Sequence, residues 1–259
     1  MNNPPVEIPL GAMRFNSDSQ KLEYWNGSAW FQIQTFSPNL DGGARGVVFG
    51  GHVSAIVNTM EFITISTQGN SQDFGDMTSV ASRGGALSSR TRGLRAGGQT
   101  PSTINIIEFI TISSTGDAQD FGDLNYNPKF PAPMANETRG IWAGGYTPSN
   151  SDNIEFVTIA STGDAVDFGN LLSSTNNAQG FGALANATRG IFGGGYQAGS
   201  GQVNILQFVT INSNGNAEDF GDLVGNSGQF SGTVGGSSPT RGLFFGGGPS
   251  GSANTNIQY

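Results

Sequence analysis

The chain has 259 residues, only 12% of them charged, and a formal net charge of −8, and its few arginines and lysines never gather into the basic run that nucleic-acid binding needs. Cysteine is absent and His52 is the only histidine, which excludes disulfides, thiol nucleophiles, paired-histidine metal sites and Ser-His-Asp catalysis. Glycine, at 41 residues, exceeds twice its average usage of about 7% while Leu, Ile, Val and Phe stay spread along the chain, a composition of tight turns between short strands and not of disorder.

In chain order, the opening MNNPPVEIPLGAM lacks the basic start and apolar stretch of a signal peptide. No apolar run approaches the roughly 20 residues that cross a bilayer. A soluble product without membrane insertion or general secretory export is expected. Residues 1–21 are read as an N-terminal arm or attachment segment. Next, KLEYWNGSAWFQI offers two alternating strands joined at Asn26-Gly27, a dipeptide suited to a tight hairpin turn.

From Arg45 the chain repeats itself, the first thing to settle in any sequence with a period of about 20 to 50 residues. An Arg-Gly pair, apolar residues and a glycine doublet recur as RGVVFGG at Arg45, RGLRAGG at Arg92, RGIWAGGY at Arg139, RGIFGGGY at Arg189 and RGLFFGGG at Arg241, spaced by 47, 47, 50 and 52 residues. Between them lie MEFITISTQGNSQDFGDM from Met60, IEFITISSTGDAQDFGDL from Ile107, IEFVTIASTGDAVDFGNL from Ile154 and LQFVTINSNGNAEDFGDL from Leu206. Each of these reads as an alternating strand, a glycine turn and a second strand, hence a hairpin. A further short apolar stretch, such as GGALSS at Gly84 or GFGALAN at Gly180, precedes each Arg-Gly pair. About four antiparallel strands per repeat, several times over, is the pattern of propeller blades. The expected fold class is all-β, a five-bladed β-propeller over residues 22–259.

The fifth repeat stops at NIQY259, which aligns with NIEF ending at Phe156, so its outer hairpin is not supplied there. Residues 22–33 are expected to complete that last blade, because Trp30 and Phe31 stand nearly in the register that Phe74 holds before Arg92, and closure leaves no open sheet edge.

The Arg-Gly strand with its glycine doublet, followed by an aromatic at Tyr146 or Tyr196 and a hairpin that closes on a large aromatic, resembles the kelch repeat family. Where kelch repeats usually carry Trp in the last strand, this chain has Phe74, Phe121, Phe168 and Phe220. The segment GAMRFNSDSQKLEYWNGSAWFQI also resembles a short β-module near the ends of bacteriophage tail-fibre and other virion proteins. The repeats are similar to structural proteins of phages, especially those infecting cyanobacteria. The resemblance implies a virion structural protein assembled in the host cytoplasm, a tail-fibre, adaptor or decoration component. Its implied partners are other virion proteins in a symmetric assembly, with a host-surface glycan as a further one. The alternative is a lectin-like propeller with no tie to a virion.

Candidate sites follow from the repeat. Arg45, Arg92, Arg139, Arg189 and Arg241 would form a ring able to grip carboxylates, or would join neighbouring blades by ion pairs or bonds to loop carbonyls. Asp117, Asp120 and Asp123, or Asp164 and Asp167, suggest calcium, yet they straddle a turn and both faces of a strand. The glycine doublets lack the Lys-Ser/Thr or helix start of a phosphate cradle. Paired carboxylates could hydrolyse glycosides, but nearly every acid recurs with the repeat, so neither enzymatic activity nor a cofactor is expected. Tyr146, Tyr196 and Trp142 are the candidate ligand-binding aromatics. Trp142 has a second reading, as a core residue equivalent to Val48, Leu94-Arg95, Phe192 and Phe244. Polar loops beginning at Gln99, Tyr146 and Tyr196 are the expected recognition surface.

Overall fold

The structure is a computed structural model that describes residues 8–16, 21–32, 45–52, 54–147, 151–172, 180–197, 201–224, 234–246 and 257–258. The described elements are all strands, in small antiparallel sheets. The chain divides into two compact units, residues 1–40 and 41–259.

In the first unit, Met13–Asn16, Lys21–Trp25 and Trp30–Gln32 form one three-stranded sheet. The Asn26 side-chain oxygen accepts the amides of Ser28 and Ala29 at 2.9 and 2.8 Å and so fixes the hairpin turn, the local use of Asn that favours turns. On one face Arg14 bonds Glu23 at 2.9 Å and lies 4.3 Å over the Trp30 ring, beside Trp25. Asn16, first, and then Arg14 hold the Glu23 carboxyl below its usual range. The pairing differs from the expected one. The free edge of Lys21–Trp25 is taken by Met13–Asn16 in matched register, Met13 opposite Tyr24 and Phe15 opposite Leu22, and not by the last repeat. Residue 33 lies outside the described residues.

The second unit carries the repeats. Three sheets have four strands in simple sequence order: Gly85–Ser88, Arg92–Ala96, Ile106–Thr111 and Gln119–Asp123; Ala132–Ala135, Arg139–Ala143, Asn153–Thr158 and Val166–Asn170; Gly182–Ala185, Arg189–Gly193, Ile205–Thr210 and Glu218–Asp222. The first repeat contributes three, Arg45–His52, Ile56–Thr64 and Gln72–Asp76, and the fifth contributes Val234–Ser237, Gly242–Phe245 and Ile257–Gln258. First strands of successive repeats lie beside one another, which is why they are built of small residues: a Cβ on Gly85 would stand 2.9 Å from the Pro131 carbonyl of the next repeat. Sheets meeting along their first strands fit a β-propeller-like fold.

One joint is used three times. The third and fourth strands of each four-stranded sheet slip register by a bulge, at Ile107/Glu108, Ile154/Glu155 and Leu206/Gln207, and the first repeat does so at Met60/Glu61. A bulge bends its strand and leaves groups unpaired. Those groups receive the hairpin turn of the following repeat. Gly116 and Ala118 amides donate to the Phe74 and Asp76 carbonyls at 2.7 and 2.8 Å, while the Asp76 amide donates to Asp117 Oδ1 at 3.0 Å. Gly163, Ala165 and Asp164 repeat this on Phe121 and Asp123, and Gly215, Ala217 and Asn216 on Phe168 and Asn170. The approach leaves no room for a side chain: Gly122, at φ +147°, would place a Cβ 2.5 Å from the Gly163 carbonyl oxygen.

Phe74, Phe121 and Phe168 are each only 2% exposed, set edge-on to Phe62, Phe109 and Phe156. Burying each contributes roughly 1.5–3 kcal/mol.

Candidate functional site

The repeated arginines join one repeat to the next. Arg45, Arg92 and Arg139 donate through Nη1 to the carbonyls of Ile112, Ile159 and Ile211 at 2.8, 2.9 and 3.0 Å. Their guanidiniums lie 4.6, 4.7 and 4.3 Å over Phe62, Phe109 and Phe156, a cation–π geometry. Of the two readings of these three arginines, the bond to a neighbouring carbonyl is the one observed. Arg139 Nη1 also donates to Asn214 Oδ1 at 3.0 Å.

The acidic residues are engaged in the same way. Asp117 and Asp164 cap the preceding repeat. Glu108 and Glu155 accept the amides of Thr78 and Asn125 at 3.0 Å, and Gln207 accepts that of Leu172 at 2.9 Å. Burial pushes the Glu155 carboxyl above its usual range. Burial, reinforced by Glu155, pushes the Tyr126 hydroxyl, which donates to the Gly144 carbonyl, well above its own. Among the described residues no group of three or more His, Asp or Glu is placed to hold a metal ion.

The three candidate aromatics separate. Trp142 is fully buried and donates Nε1 to the Gly85 carbonyl at 2.9 Å, so it is the core residue of its two readings and offers no face to a ligand. Its cross-strand partner is Glu155, and at the equivalent positions Arg95, Phe192 and Phe244 stand opposite Glu108, Gln207 and Gln258. Tyr146 is half-buried with the Lys129 ammonium 4.4 Å over its ring. Tyr196 is exposed at the start of a small hairpin, Tyr196–Gln197 with Gly201–Gln202.

Three features went unnoticed in the sequence. Arg95 stands in the Trp142 slot, buried, with Nη1 3.6 Å from the equally buried Glu108; the odd residue in the repeat alignment was its signal. Burial lowers the Arg95 pKa, against the pull of Glu108. Second, Met13, Phe15, Leu22, Tyr24 and Phe31 are all exposed. Strand alternation and pairing put them on one face of the N-terminal sheet.

Third, the fourth repeat ends in an open joint. Phe220, the counterpart of the buried Phe74, Phe121 and Phe168, is 47% exposed. A Cβ on Gly221 would meet nothing within 4 Å, and no turn amide from the described residues reaches the Phe220 or Asp222 carbonyl. Arg189 lies over Phe208 and is exposed where its three predecessors are half-buried. Beside these residues runs a groove of about 900 Å³ with Leu184, Ile191, Leu206, Leu223, Phe244 and Ile257 in its walls.

No protein-family model matches the chain, and no curated protein matches its sequence. Among solved structures, one described as "Structure of YjhT" matches with a TM-score of 0.67 over 92% of this chain and 87% of that one, at 12% identity. At that identity the likeness is one of fold alone.

Proposed function

We propose that the chain is a structural component of a bacteriophage virion, a five-bladed kelch-like β-propeller that acts by binding and not by catalysis. It serves as a tail-fibre, adaptor or capsid-decoration element, assembled in the host cytoplasm, with other virion proteins as its partners. The blade count follows the five Arg-Gly strands, three of them in complete four-stranded sheets. The virion assignment follows the sequence resemblance. The observation that carries an attachment role is the N-terminal sheet, a separate unit whose one face is a continuous set of exposed apolar side chains. Such a face on a small unit marks an interaction surface. Arg45, Arg92, Arg139, Asp117 and Asp164 are held in bonds between repeats.

The test is electron microscopy of intact particles labelled with gold-tagged antibody against the recombinant chain. Label on fibres or tail tip is expected for a host-contacting component, and label over neck or capsid for an adaptor or decoration. Particles without label would remove the virion reading. The lectin alternative rests on exposed Tyr196 beside the polar Gly201–Gln202 strand, and saturable glycan binding lost in Tyr196→Ala would support it.

A further inference from the structure

Two arginines of the second repeat stand where the third repeat has rings. Residues 47 positions apart correspond between these repeats, as Arg92 and Arg139 do, so Arg95 takes the slot of Trp142 and Arg83 that of Phe130. The backbone is alike at both places. Arg83 and Phe130 hold positive φ, +63° and +58°, and Arg95 and Trp142 sit in matching register opposite Glu108 and Glu155. Both arginines line one cavity of about 290 Å³ between the first and second repeats, together with Val47, Phe49, Ala81 and Ala86.

The joint in which Arg95 sits does not need it. Glu155 accepts the Asn125 amide at 3.0 Å with Trp142 opposite, and Glu108 accepts the Thr78 amide at the same distance with Arg95 opposite. Gln207 accepts the Leu172 amide with Phe192 opposite. A ring therefore suffices in this slot, and a guanidinium buried there costs stability unless its donors are met. Arg95 is 3% exposed, yet Nη1 and Nη2 have no hydrogen-bond partner among the described residues, and neither has Glu108 Oε1. The 3.6 Å between Nη1 and that oxygen exceeds a hydrogen bond. The head group is nonetheless fixed in place: a Cβ on Gly84 would stand 2.5 Å from Arg95 Nε, and one on Gly98 2.6 Å from Nη2. A buried polar group without a partner calls for an ion or a bound molecule, and a local rule broken with no gain in packing marks a functional site.

We propose that this cavity is a binding site for a small organic acid, whose carboxylate takes both Nη donors of Arg95 and whose short apolar body lies against Val47, Phe49, Ala81 and Ala86. The paired N–H groups of a guanidinium match the two oxygens of a carboxylate. Glu108 is not part of the cavity wall, so the two arginines are its only charges among the described residues. Exposed Arg83, steadied by its Nη1 bond to Gln99 Oε1 at 3.0 Å, adds attraction for an anion. Burial lowers the Arg95 pKa, and a carboxylate at its nitrogens favours the charged form again. At about 290 Å³ the cavity falls just below the roughly 300–1,000 Å³ of drug-sized ligand sites, which selects a small acid. The inference goes beyond the virion reading and stands or falls separately from it.

The probes are sodium formate, acetate, butyrate and benzoate, each titrated at constant ionic strength into the isotope-labelled 259-residue chain and followed by amide NMR. Saturable shifts are expected at residues 47–51 and 82–86 and at the Arg95 side chain. Butyramide, the same body without the charge, is expected to bind about tenfold more weakly than butyrate or worse, the loss of a charge-assisted bond. Arg95→Trp gives the slot the ring of the neighbouring repeat. It is expected to lose butyrate affinity to a similar degree while melting no lower than the parent. Arg95→Lys keeps the charge and gives up the fork, so it too should bind butyrate more weakly, and it serves as the test should the ring variant not fold. No saturable shift with any of the four acids overturns the proposal. So does butyramide bound as tightly as butyrate, or butyrate affinity unchanged in the Arg95 variants.

Discussion

Glu108, Glu155 and Gln207 share one position and one task, accepting an amide from the preceding repeat, so a charge is dispensable for that bond. Burial raises the Glu155 pKa, so the folded chain holds this proton more tightly than the unfolded chain does. The stability linked to it is full below the ordinary glutamate value of about 4.3 and is lost as pH rises through the higher folded value. Glu155→Gln keeps the acceptor oxygen and cannot ionise. It is expected to melt at or above the parent temperature at pH 7, with the two proteins converging as pH falls to the ordinary glutamate range. A variant clearly less stable at pH 7 would show that the carboxylate charge itself holds the joint. Arg95 is the contrasting case, a buried charge in a slot that Trp142, Phe192 and Phe244 fill with rings, compensated by Glu108 at 3.6 Å.

At the scale of the element, the unit of construction is the bulged fourth strand plus the turn that docks on it. Its demand for glycine has two separable parts, a positive φ and an empty space over the Cα. Gly122 meets both demands, at φ +147° and with Gly163 backbone 2.5 Å from a notional Cβ, while Gly221 meets only the first, at φ +133° with nothing nearby. Both alanine variants suffer backbone strain of roughly 1–3 kcal/mol. Gly122→Ala adds overpacking of typically another 1–3 kcal/mol, so it should be the more destabilised in urea titrations. Equal losses would mean that the docked turn yields without cost.

For the whole molecule, the repeats hold to one another by nearest-neighbour joints, as stacked repeats do. The N-terminal unit completes its own strand pairing. Removing residues 1–40 is therefore expected to leave the melting temperature of the repeats within about 2 °C of the parent, where 1 kcal/mol corresponds to roughly 2–4 °C at this size. A fall of several degrees would show that the repeats depend on that segment, the behaviour expected of a blade-closing hairpin.

Strand content, the repeat and the places of the turns were legible in the sequence, because alternation, paired glycines and Asx turns are local signals whose physics acts within a few residues. The recurrence of Arg45, Arg92 and Arg139 was legible, while their acceptors, the carbonyls of Ile112, Ile159 and Ile211, lie some 70 residues away and carry no residue-type signature, since a backbone carbonyl is the same everywhere. The burial of Trp142 against Gly85 and the exposure of Phe220 were likewise decided by tertiary structure. Phe121 and Phe220 sit in nearly identical segments, yet Phe121, met by the following turn at Gly163, is 2% exposed, while Phe220, met by no such turn among the described residues, is 47% exposed. The pairing of Lys21–Trp25 was undecided for a related reason. A hairpin with two open edges has no local preference for its third strand, and Met13–Asn16, next to it in the chain, is the partner whose approach costs the least loop-closure entropy.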